Sequence, residues 1–522
     1  MIFSYICLEF NLQPMFKAVI PIFSLILTAA CSAADPAEGL VFDPSSGKAG
    51  SIELPNGETV NYTAYEKLYF VTNVEDPTYQ YMNVYVPEGA TQKTPIFLRT
   101  YVGGYMASEA AAPQAGDASG RALAEGYVVA IPGSRGRNSK VGETWTGRAP
   151  AAILDLKAAI RYLRHFDRQM PGDAERIITD GTSAGGAMSA LMGATGNYPD
   201  YEPLLDAMGA AKERDDVFAS ICFCPIIDLE HADMAYEWLF KDTDSRMAGS
   251  EEQQKVSAEL AAQFPAYLAG LNLHKADGTL LTGDNFLDYI KELLIASAQK
   301  AKDAGADISA DLGFKFNNEA MGRFAALVNG GLPGGGRPDG MPSSFNQGNR
   351  PAGQGDNMPM MRMGGGRVGE YITDLDMPTY LNYVVSTQPL KGVPSFDSKG
   401  VLGSRASGEN EEFGDAKGSS VNFTEYSAAV NGVSLGDDIK HNVFLMNPMN
   451  FVGNPKATNA PHWYVRHGSR DRDTSFPVPV AFATKLENAG LDVDFLLAWN
   501  RPHSGDYALD EVFDWIRQIT NR

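Results

Sequence analysis

Short apolar runs and segments with helical spacing alternate along the first part of the chain. Residues 68–72 and 81–87 predict an antiparallel opening pair of strands. Further strands are predicted at 95–99, 127–132, 176–180 and 217–223, with helices near 117–125, 150–166 and 185–192. Apolar strands separated by helical crossovers are typical of a mostly parallel sheet that helices cover on both faces.

This alternation stops after Asp228 and resumes near residue 463. The intervening segment, 229–445, carries mainly helical patterns and long loops, including the patterns at 251–270 and 284–304. Strands at 463–466 and 493–497 and helices at 476–489 and 508–519 then follow. The pattern predicts one α/β core, residues 35–228 and 446–522, interrupted between two neighbouring strands. We call the inserted segment, 229–445, the lid.

Residues 329–367, inside the lid, differ in composition from the rest of the chain. Gly and Pro make up more than a third of this segment, above the roughly 25–30% that signals low complexity. Several methionines add soft apolar side chains. The composition is typical of a surface loop, and an adhesive flap is the alternative.

Residues 1–34 have the layout of an export signal. An apolar run from Ala18 to Ala30 follows Lys17, ends in small residues and is short for a membrane span. Cys31 after small residues also resembles a bacterial lipoprotein box. The pattern at 1–34 is consistent both with cleavage to a soluble protein and with a lipid anchor at Cys31. We therefore expect an exported protein that is periplasmic, secreted or an outer-membrane lipoprotein.

Composition narrows the classes of function. The chain has 522 residues, of which 44% are hydrophobic, so it can bury a sizeable core. Its 43 basic and 64 acidic residues leave a net charge of −21, and such a surface would repel the phosphates of a nucleic acid. Four cysteines do not make a disulfide scaffold. An acidic globular enzyme or binding protein remains, and no pattern specifies an oligomeric state.

The strongest motif is the Gly-Thr-Ser-Ala-Gly-Gly run at 181–186. It follows an apolar strand and opens a helix, which is the context of a nucleophile elbow. Gly181 and Gly185 would let the strand and the helix approach closely, while the sharp turn lifts the Ser183 hydroxyl clear of the sheet. Ser183 is therefore the predicted nucleophile.

A serine hydroxyl needs a base that a carboxylate holds in place. In this type of fold the acid and then the histidine follow the serine along the chain. His503 lies just past the last predicted strand, where the base loop belongs. Asp471 and Asp473 are the candidate acids, and Asp471 is preferred because it stands four residues after His467 in a His-Gly-x-x-Asp turn.

The oxyanion of an acyl-transfer intermediate needs preorganised N–H donors. We expect one donor to be the backbone N–H of Ala184, directly after the nucleophile. The other should come from the loop after the third strand, where Gly104 is preferred and Gly103 is the alternative.

With this order of nucleophile, acid and histidine, the sequence resembles bacterial tannases (tannin acyl hydrolases) of the α/β-hydrolase superfamily. The resemblance is carried by the runs at 181–190, 193–197, 225–233, 463–475 and 502–506. The Asp-Arg-Asp-Thr-Ser run at 471–475 is more specific than the elbow alone. The resemblance implies hydrolysis of galloyl esters and depside bonds in tannins by a triad of Ser183, Asp471 and His503.

The resemblance also implies a substrate-binding set. In tannases a lysine, a glutamate and an aspartate hold the three galloyl hydroxyls. The aspartate matches Asp473, the glutamate Glu409 and the lysine Lys391, with Lys399 as the alternative. Carboxylate acceptors and a cation near phenolic hydroxyls would select polyhydroxylated rings over plain benzoates.

The expected partner is thus a small aromatic ester, and the chemistry requires no metal or organic cofactor. A feruloyl or other carboxylesterase would share the triad and differ in the pocket. A serine peptidase is a second alternative, since Gly-x-Ser-x-Gly-Gly occurs there too.

Overall fold

The apolar runs form the strands of one central sheet. The structure, a computed structural model, describes residues 39–317 and 370–521. The strands of the described residues are β1 (Lys48–Glu53), β2 (Thr59–Tyr69), β3 (Tyr81–Pro87), β4 (Pro95–Arg99), β5 (Val128–Pro132), β6 (Lys140–Val141), β7 (Thr144–Trp145), β8 (Asp173–Thr182), β9 (Ala219–Phe223), β10 (Phe314–Asn317), β11 (Tyr371–Leu375), β12 (His462–Gly468) and β13 (Asp492–Ala498).

The central sheet has nine strands in the order β1-β2-β3-β5-β4-β8-β9-β12-β13. The pairs β1–β2, β2–β3 and β3–β5 are antiparallel. All pairs from β5 to β13 in this order are parallel. In the antiparallel opening, Leu68 pairs with Met82 and Tyr69 with Tyr81. The sheet is therefore mostly parallel, which confirms the predicted fold class.

Helices flank this sheet and fill the insertion. Those of the described residues are α1 (Ala118–Ala124), α2 (Ala151–His165), α3 (Ala184–Ala194), α4 (Glu202–Met208), α5 (Leu229–Phe240), α6 (Asp244–Met247), α7 (Glu251–Ala261), α8 (Phe264–Leu271), α9 (Phe286–Asp303), α10 (Met377–Thr387), α11 (Gly408–Glu412), α12 (Glu425–Val430), α13 (Asp437–Leu445), α14 (Pro477–Asn488) and α15 (Leu509–Thr520).

Successive residues of the central strands pack into two different cores. On β4, Ile96 and Leu98 join a hydrophobic cluster with side chains of α2 and α3. Phe97, between them, joins a second cluster with side chains of α1 and α15. Because side chains of a strand point alternately to opposite faces, this pattern requires helices on both faces of the sheet.

The chain leaves the sheet after β9 and returns at β12, and the described residues between these strands are mainly in helices and loops. The continuous helical pattern at 251–270 forms two helices, α7 and α8, because Pro265 lacks the N–H that a continuing helix would need. The antiparallel pair of β10 and β11 was not predicted. These elements share one compact unit with the sheet, residues Pro36–Arg522.

Two predictions fall on parts of the chain outside the described residues. The export signal at 1–34, with Cys31, and the low-complexity segment at 329–367 both lie there. The division into a core and a lid also stays a prediction. None of the helices in 39–317 and 370–521 combines the length and the apolarity that crossing a bilayer needs.

The parallel strands bring the candidate residues to one edge of the sheet. Gly104 follows β4, Ser183 follows β8, Asp471 follows β12 and His503 follows β13. The carboxyl ends of parallel strands meet at the same edge, which is where open α/β sheets bind ligands.

Candidate active site

Ser183 lies in a sharp turn between β8 and α3. Its φ of 63° and ψ of −123° are unusual for a residue with a side chain and cost on the order of 1–3 kcal/mol. The turn needs glycine next to it, because a Cβ at Gly181 would come 2.2 Å from the carbonyl oxygen of Gly185. The backbone N–H of Ser183 donates to the carbonyl of Phe223, which ties the turn to β9. The local geometry matches the predicted nucleophile elbow.

His503 bridges the serine and a buried aspartate. Its Nε2 atom lies 2.8 Å from Oγ of Ser183, and its Nδ1 atom lies 2.7 Å from Oδ2 of Asp471. Because a carboxylate only accepts, Nδ1 carries the proton and Nε2 is free to accept the serine proton. The structure thus brings Ser183, His503 and Asp471 together in the order that nucleophilic catalysis requires.

Asp471, and not Asp473, contacts the imidazole of His503. Burial opposes ionisation of Asp471, but His467 and His503 outweigh it and lower its pKa to about 2. The other carboxylate oxygen of Asp471, Oδ1, accepts a hydrogen bond of 2.7 Å from the backbone N–H of Asp473. Burial lowers the pKa of His467, whose Nε2–H donates to the carbonyl of Thr474. Asp471 therefore stays charged and fixed in the turn that the sequence indicates.

The charge of His503 depends on its neighbours. Burial disfavours the imidazolium, but the Asp471 carboxylate and its hydrogen bond outweigh burial and raise the pKa of His503. Asp473 raises this pKa further, whereas Lys391 opposes the rise. Both of these charges therefore lie close enough to the imidazole to influence its proton.

Backbone N–H groups of two segments lie next to the elbow. The loop after β4 turns at Gly104 and Tyr105, which have φ values of 55° and 56°, and the N–H of Met106 closes the turn on the carbonyl of Gly103. A Cβ at Gly185 would come 2.9 Å from the carbonyl oxygen of Val102, so this loop packs against the start of α3. Within 39–317 and 370–521, the N–H groups of Gly104 and Ala184 have no hydrogen-bond acceptor. Both are free to bind an oxyanion.

Lys391 lies in the lid with its cation over an aromatic ring. Its Nζ atom is 3.9 Å from the centre of the Phe396 ring, and its backbone N–H donates to the hydroxyl of Tyr236. The alternative, Lys399, donates its ammonium hydrogen bond to the carbonyl of Ser420 instead. Lys391 is therefore the lysine whose charge reaches His503.

Glu409 and Asp473 each influence a different neighbour of the elbow. Glu409 is half-buried on α11, and its charge contributes, after burial and Glu412, to the raised pKa of Tyr105 in the loop after β4. Asp473 is half-buried two residues after Asp471, with Arg472 2.8 Å from its Oδ1 atom. A carboxylate oxygen of Asp473 thus lies within 4.8 Å of a ring nitrogen of His503. Glu409 and Lys391 act through their charge on the pKa of Tyr105 and of His503, respectively.

Two buried aspartates that sequence reasoning missed hold the lid segments in place. Asp233 accepts the backbone N–H groups of Ser395, Phe396 and Asp397, close to Lys391. Asp397 in turn accepts the side-chain amide of Asn410 on α11. Burial raises the pKa of Asp233 to about 7. Neither residue stands in a recognisable motif, although Asp233 lies within the tannase-like run at 225–233.

A buried ion cluster, also missed, joins the nucleophile strand to the histidine loop. Arg99 at the end of β4 pairs with Asp180, three residues before Ser183. The same guanidinium donates to Asp506, three residues after His503, over 2.6 Å. Burial raises the pKa of Asp180 to about 7, against the opposing charge of Arg99. Arg99 therefore joins the strand that leads to Ser183 to the loop that carries His503.

Three groups of side chains in the described residues could offer ligands to a metal ion. They are Cys224 with His467 and Asp471, Asp228 with Glu230 and His231, and Asp471 with Asp473 and His503. In the second group, Nδ2 of Asn447 donates to both Asp228 and Glu230, so an ion would have to displace this amide. In the other two, Asp471 already accepts from His503.

Two comparisons with known sequences each match part of this chain. The family model described as BD-FAE matches residues 82–266. Esterase LipC of Mycobacterium tuberculosis is 46% identical over 55 residues, which span 10% of this chain and 14% of that esterase.

Solved structures resemble the whole described fold. A tannase of Fusobacterium nucleatum is 32% identical with a TM-score of 0.76, covering 92% of this chain and 99% of its own. A tannin acyl hydrolase of Lactobacillus plantarum is 35% identical with a TM-score of 0.76 and the same coverage. A tannin acyl hydrolase in complex with ethyl gallate is 35% identical with a TM-score of 0.75, again with 92% and 99% covered.

Proposed function

We propose, from the premise that the chain belongs to the tannase (tannin acyl hydrolase) family, that it hydrolyses galloyl esters and depside bonds of tannins and releases gallate. The protein is a carboxylic-ester hydrolase of the α/β-hydrolase fold. The observation that carries the proposal is the hydrogen-bonded chain from Ser183 through His503 to Asp471 in a member of this family.

The proposed reaction has two half-reactions. In the first, Nε2 of His503 takes the proton of Ser183, whose Oγ attacks the ester carbonyl. The N–H groups of Ala184 and Gly104 stabilise the oxyanion, and one such donor is worth about 2.7–4 kcal/mol. The intermediate then collapses, and the alcohol leaves with the proton that His503 carries.

In the second half-reaction, water hydrolyses the galloyl ester on Ser183. His503 now takes a proton from the water, which attacks the same carbonyl carbon in the same oxyanion hole. The Ser183–acyl bond breaks, and Oγ recovers its proton from the imidazolium. Asp471 keeps the imidazole oriented and stabilises its charged form in both halves.

Lys391, Glu409 and Asp473 would bind the three galloyl hydroxyls. Two carboxylates can each accept a phenolic hydrogen bond, and an ammonium can donate to a phenolic oxygen. Such charged partners make an analogue without hydroxyls costly to bind, because they would stay unpaired in a partly dry pocket. The relative that was solved with ethyl gallate supports a galloyl group as the acyl part.

We also propose the partner and the location of the enzyme. Besides water, the reaction needs a small aromatic ester, and the acidic surface argues against a nucleic acid as partner. Export rests on the pattern at 1–34, with Cys31 as the lipid-anchor position. If Cys31 carries lipid, Cys31→Ala would move the protein from the membrane fraction to the soluble fraction; an unchanged distribution would favour plain cleavage.

A panel of aromatic-acid esters tests the proposed substrate. We expect kcat/KM to be highest for methyl gallate, lower for methyl protocatechuate and lowest for methyl ferulate. Methyl ferulate as the best substrate would support the feruloyl esterase alternative instead. Hydrolysis of a peptide amide at a rate comparable to that of the esters would favour a peptidase.

A further inference from the structure

Arg137 contacts the loop after β4 at two consecutive carbonyl groups. This residue lies between β5 and β6, and its backbone N–H donates to the carbonyl oxygen of Tyr105 over 2.8 Å. Its side-chain Nε–H donates to the carbonyl oxygen of Gly104, also over 2.8 Å. One residue thus holds both peptides that follow the proposed oxyanion donor.

Gly104 depends on such contacts because its own surroundings restrain it little. Its φ is 55°, and a Cβ built on it would meet nothing within 4 Å. Glycine samples a wide range of φ and ψ, so an unheld Gly104 would let the loop take other shapes. Since the peptide group is planar, a hydrogen bond to the Gly104 carbonyl fixes the orientation of the peptide that joins Gly104 to Tyr105.

The other end of the same side chain reaches α11. Nη1 of Arg137 pairs with Glu411, two residues after Glu409. The guanidinium lies against the start of this helix, where a Cβ at Gly408 would come 3.1 Å from Cζ of Arg137. The adjacent Glu412 is fully buried, and burial raises the pKa of its carboxyl group to about 8.

We propose that Arg137 is a positioning residue that couples recognition of the acyl ring at Glu409 to placement of the oxyanion-hole loop at Gly104. The planar fork of arginine offers several N–H donors in fixed directions, so it can bond the loop and the helix at once. The guanidinium of Arg137 would thus fix both the helix that carries Glu409, which binds the substrate ring, and the loop that carries the oxyanion donor Gly104. The effect of Arg137 on binding of the acyl ring rests on the proposed function. Its effect on the loop at Gly104 depends only on this loop being part of the oxyanion hole of a serine esterase.

The helix α11 keeps other anchors when Arg137 is changed. Arg148 donates to the carbonyl oxygen of Glu411, and the N–H of Ala149 donates to the carbonyl oxygen of Glu412 over 2.8 Å. The Glu411 side chain is 45% exposed, and an ion pair so close to water contributes little to the free energy of unfolding. Variants of Arg137 should therefore fold, with their defect visible in the kinetics.

Steady-state kinetics with p-nitrophenyl acetate and methyl gallate test the role of Arg137. In Arg137→Met, we expect kcat for p-nitrophenyl acetate to fall about 10-fold or more, since losing an oxyanion donor outright costs about 100- to 1,000-fold. KM for this small ester should stay within about twofold, and kcat/KM for methyl gallate should fall further. Arg214 is an exposed arginine that pairs with Glu175, so Arg214→Met is the matched control. Its kcat and KM should equal those of the wild type.

Two more variants separate charge from geometry. Arg137→Lys keeps the charge beside Glu411 but loses the fork, so its kcat should stay as low as in Arg137→Met. Glu411→Gln removes only the contact to α11, so it should lower the ratio of methyl gallate to p-nitrophenyl acetate hydrolysis. Thermal unfolding close to that of wild type would establish that each variant is folded.

The following results would overturn the inference. The first is a wild-type kcat for both esters in folded Arg137→Met. The second is a kcat for p-nitrophenyl acetate that returns to the wild-type value in Arg137→Lys. The third is an unchanged ratio of methyl gallate to p-nitrophenyl acetate hydrolysis in Glu411→Gln. Failure of the proposed function is distinguishable, because wild-type enzyme would then show no preference for gallate esters. The kcat for p-nitrophenyl acetate tests the loop contact in either case.

Discussion

Nε2 of His503 lies 2.8 Å from Oγ of Ser183, although 320 residues separate the two in the chain. The sheet order explains this distance, because β8, β9, β12 and β13 are consecutive neighbours. Serine and histidine thus follow parallel strands that end at one edge of the sheet. β9, which ends at Phe223, and β12, which begins at His462, pair directly, although the predicted lid lies between them in the chain.

Replacing Ser183 tests the nucleophile. We expect Ser183→Ala to lower kcat for methyl gallate on the order of 10⁶-fold, because the acyl-enzyme can no longer form. KM should change little, since the ring contacts remain. The measurement is steady-state kinetics beside a thermal unfolding curve, and near-wild-type turnover in the folded variant would exclude Ser183.

The pH dependence of kcat/KM reports on His503. The base must be neutral to take the serine proton, so activity falls as pH drops through its pKa. Because Asp471 raises this pKa from 6.5, the acid limb should have its midpoint above 6.5 in the wild type. In Asp471→Asn the surviving activity should be low, with its acid limb at lower pH. A limb that stays in place in Asp471→Asn would contradict the assignment.

The fold and the candidate triad could be predicted because short-range patterns carry them. Apolar runs mark the strands of the parallel sheet, and the Gly-x-Ser-x-Gly motif marks the turn at Ser183. The order of Ser183, Asp471 and His503 then follows from the order of the strands. The break between α7 and α8 could also have been predicted, since Pro265 stands within the helical pattern.

The remaining contacts were not predictable because they join distant segments. Arg99 and Arg137 lie in no motif, and Asp233 lies in the run at 225–233 without a pattern that shows its role; an arginine or aspartate is more often found at the surface. Only the folded structure shows that Arg99 and Asp233 are buried and that Arg137 joins the loop after β4 to α11. The pair of β10 and β11 was missed for the same reason, since its strands lie on either side of 318–369.

Substitutions in the expected substrate-binding set should lower kcat/KM for methyl gallate more than kcat/KM for methyl benzoate. In Glu409→Gln and Lys391→Met, we expect kcat/KM for methyl gallate to fall about 10- to 100-fold, the usual range for a hydrogen bond to a charged group. The fall for methyl benzoate should be much smaller, because no ring hydroxyl is lost. Glu425→Gln, 74% exposed on α12, is the matched control.

Asp473 allows a second measurement on the same set. Its charge helps to raise the pKa of His503, so Asp473→Asn should also move the acid limb to lower pH. The limb should move whichever ester is used, because the effect acts on the imidazole. An unchanged limb together with unchanged selectivity would remove Asp473 from the site.

The ion cluster around Arg99 should stabilise the protein in a pH-dependent way. Arg99→Met leaves the fully buried Asp180 without its cation, which costs about 3–5 kcal/mol when the carboxylate stays charged. At pH 5 Asp180 can hold a proton, so the loss should be smaller than at pH 8. Urea unfolding at both pH values measures the difference. Arg99→Met combined with Asp180→Asn should recover part of the stability, and equal losses at pH 5 and pH 8 would contradict this account.

A competition between methyl gallate and methyl benzoate in one reaction tests the central claim most directly. Both esters share the reacting carbonyl and differ only in the three ring hydroxyls. If Lys391, Glu409 and Asp473 bind these hydroxyls beside Ser183, wild-type enzyme should consume methyl gallate at least about 100-fold faster at equal concentrations. Equal rates, or faster loss of methyl benzoate, would contradict the proposal that this esterase is built for galloyl groups.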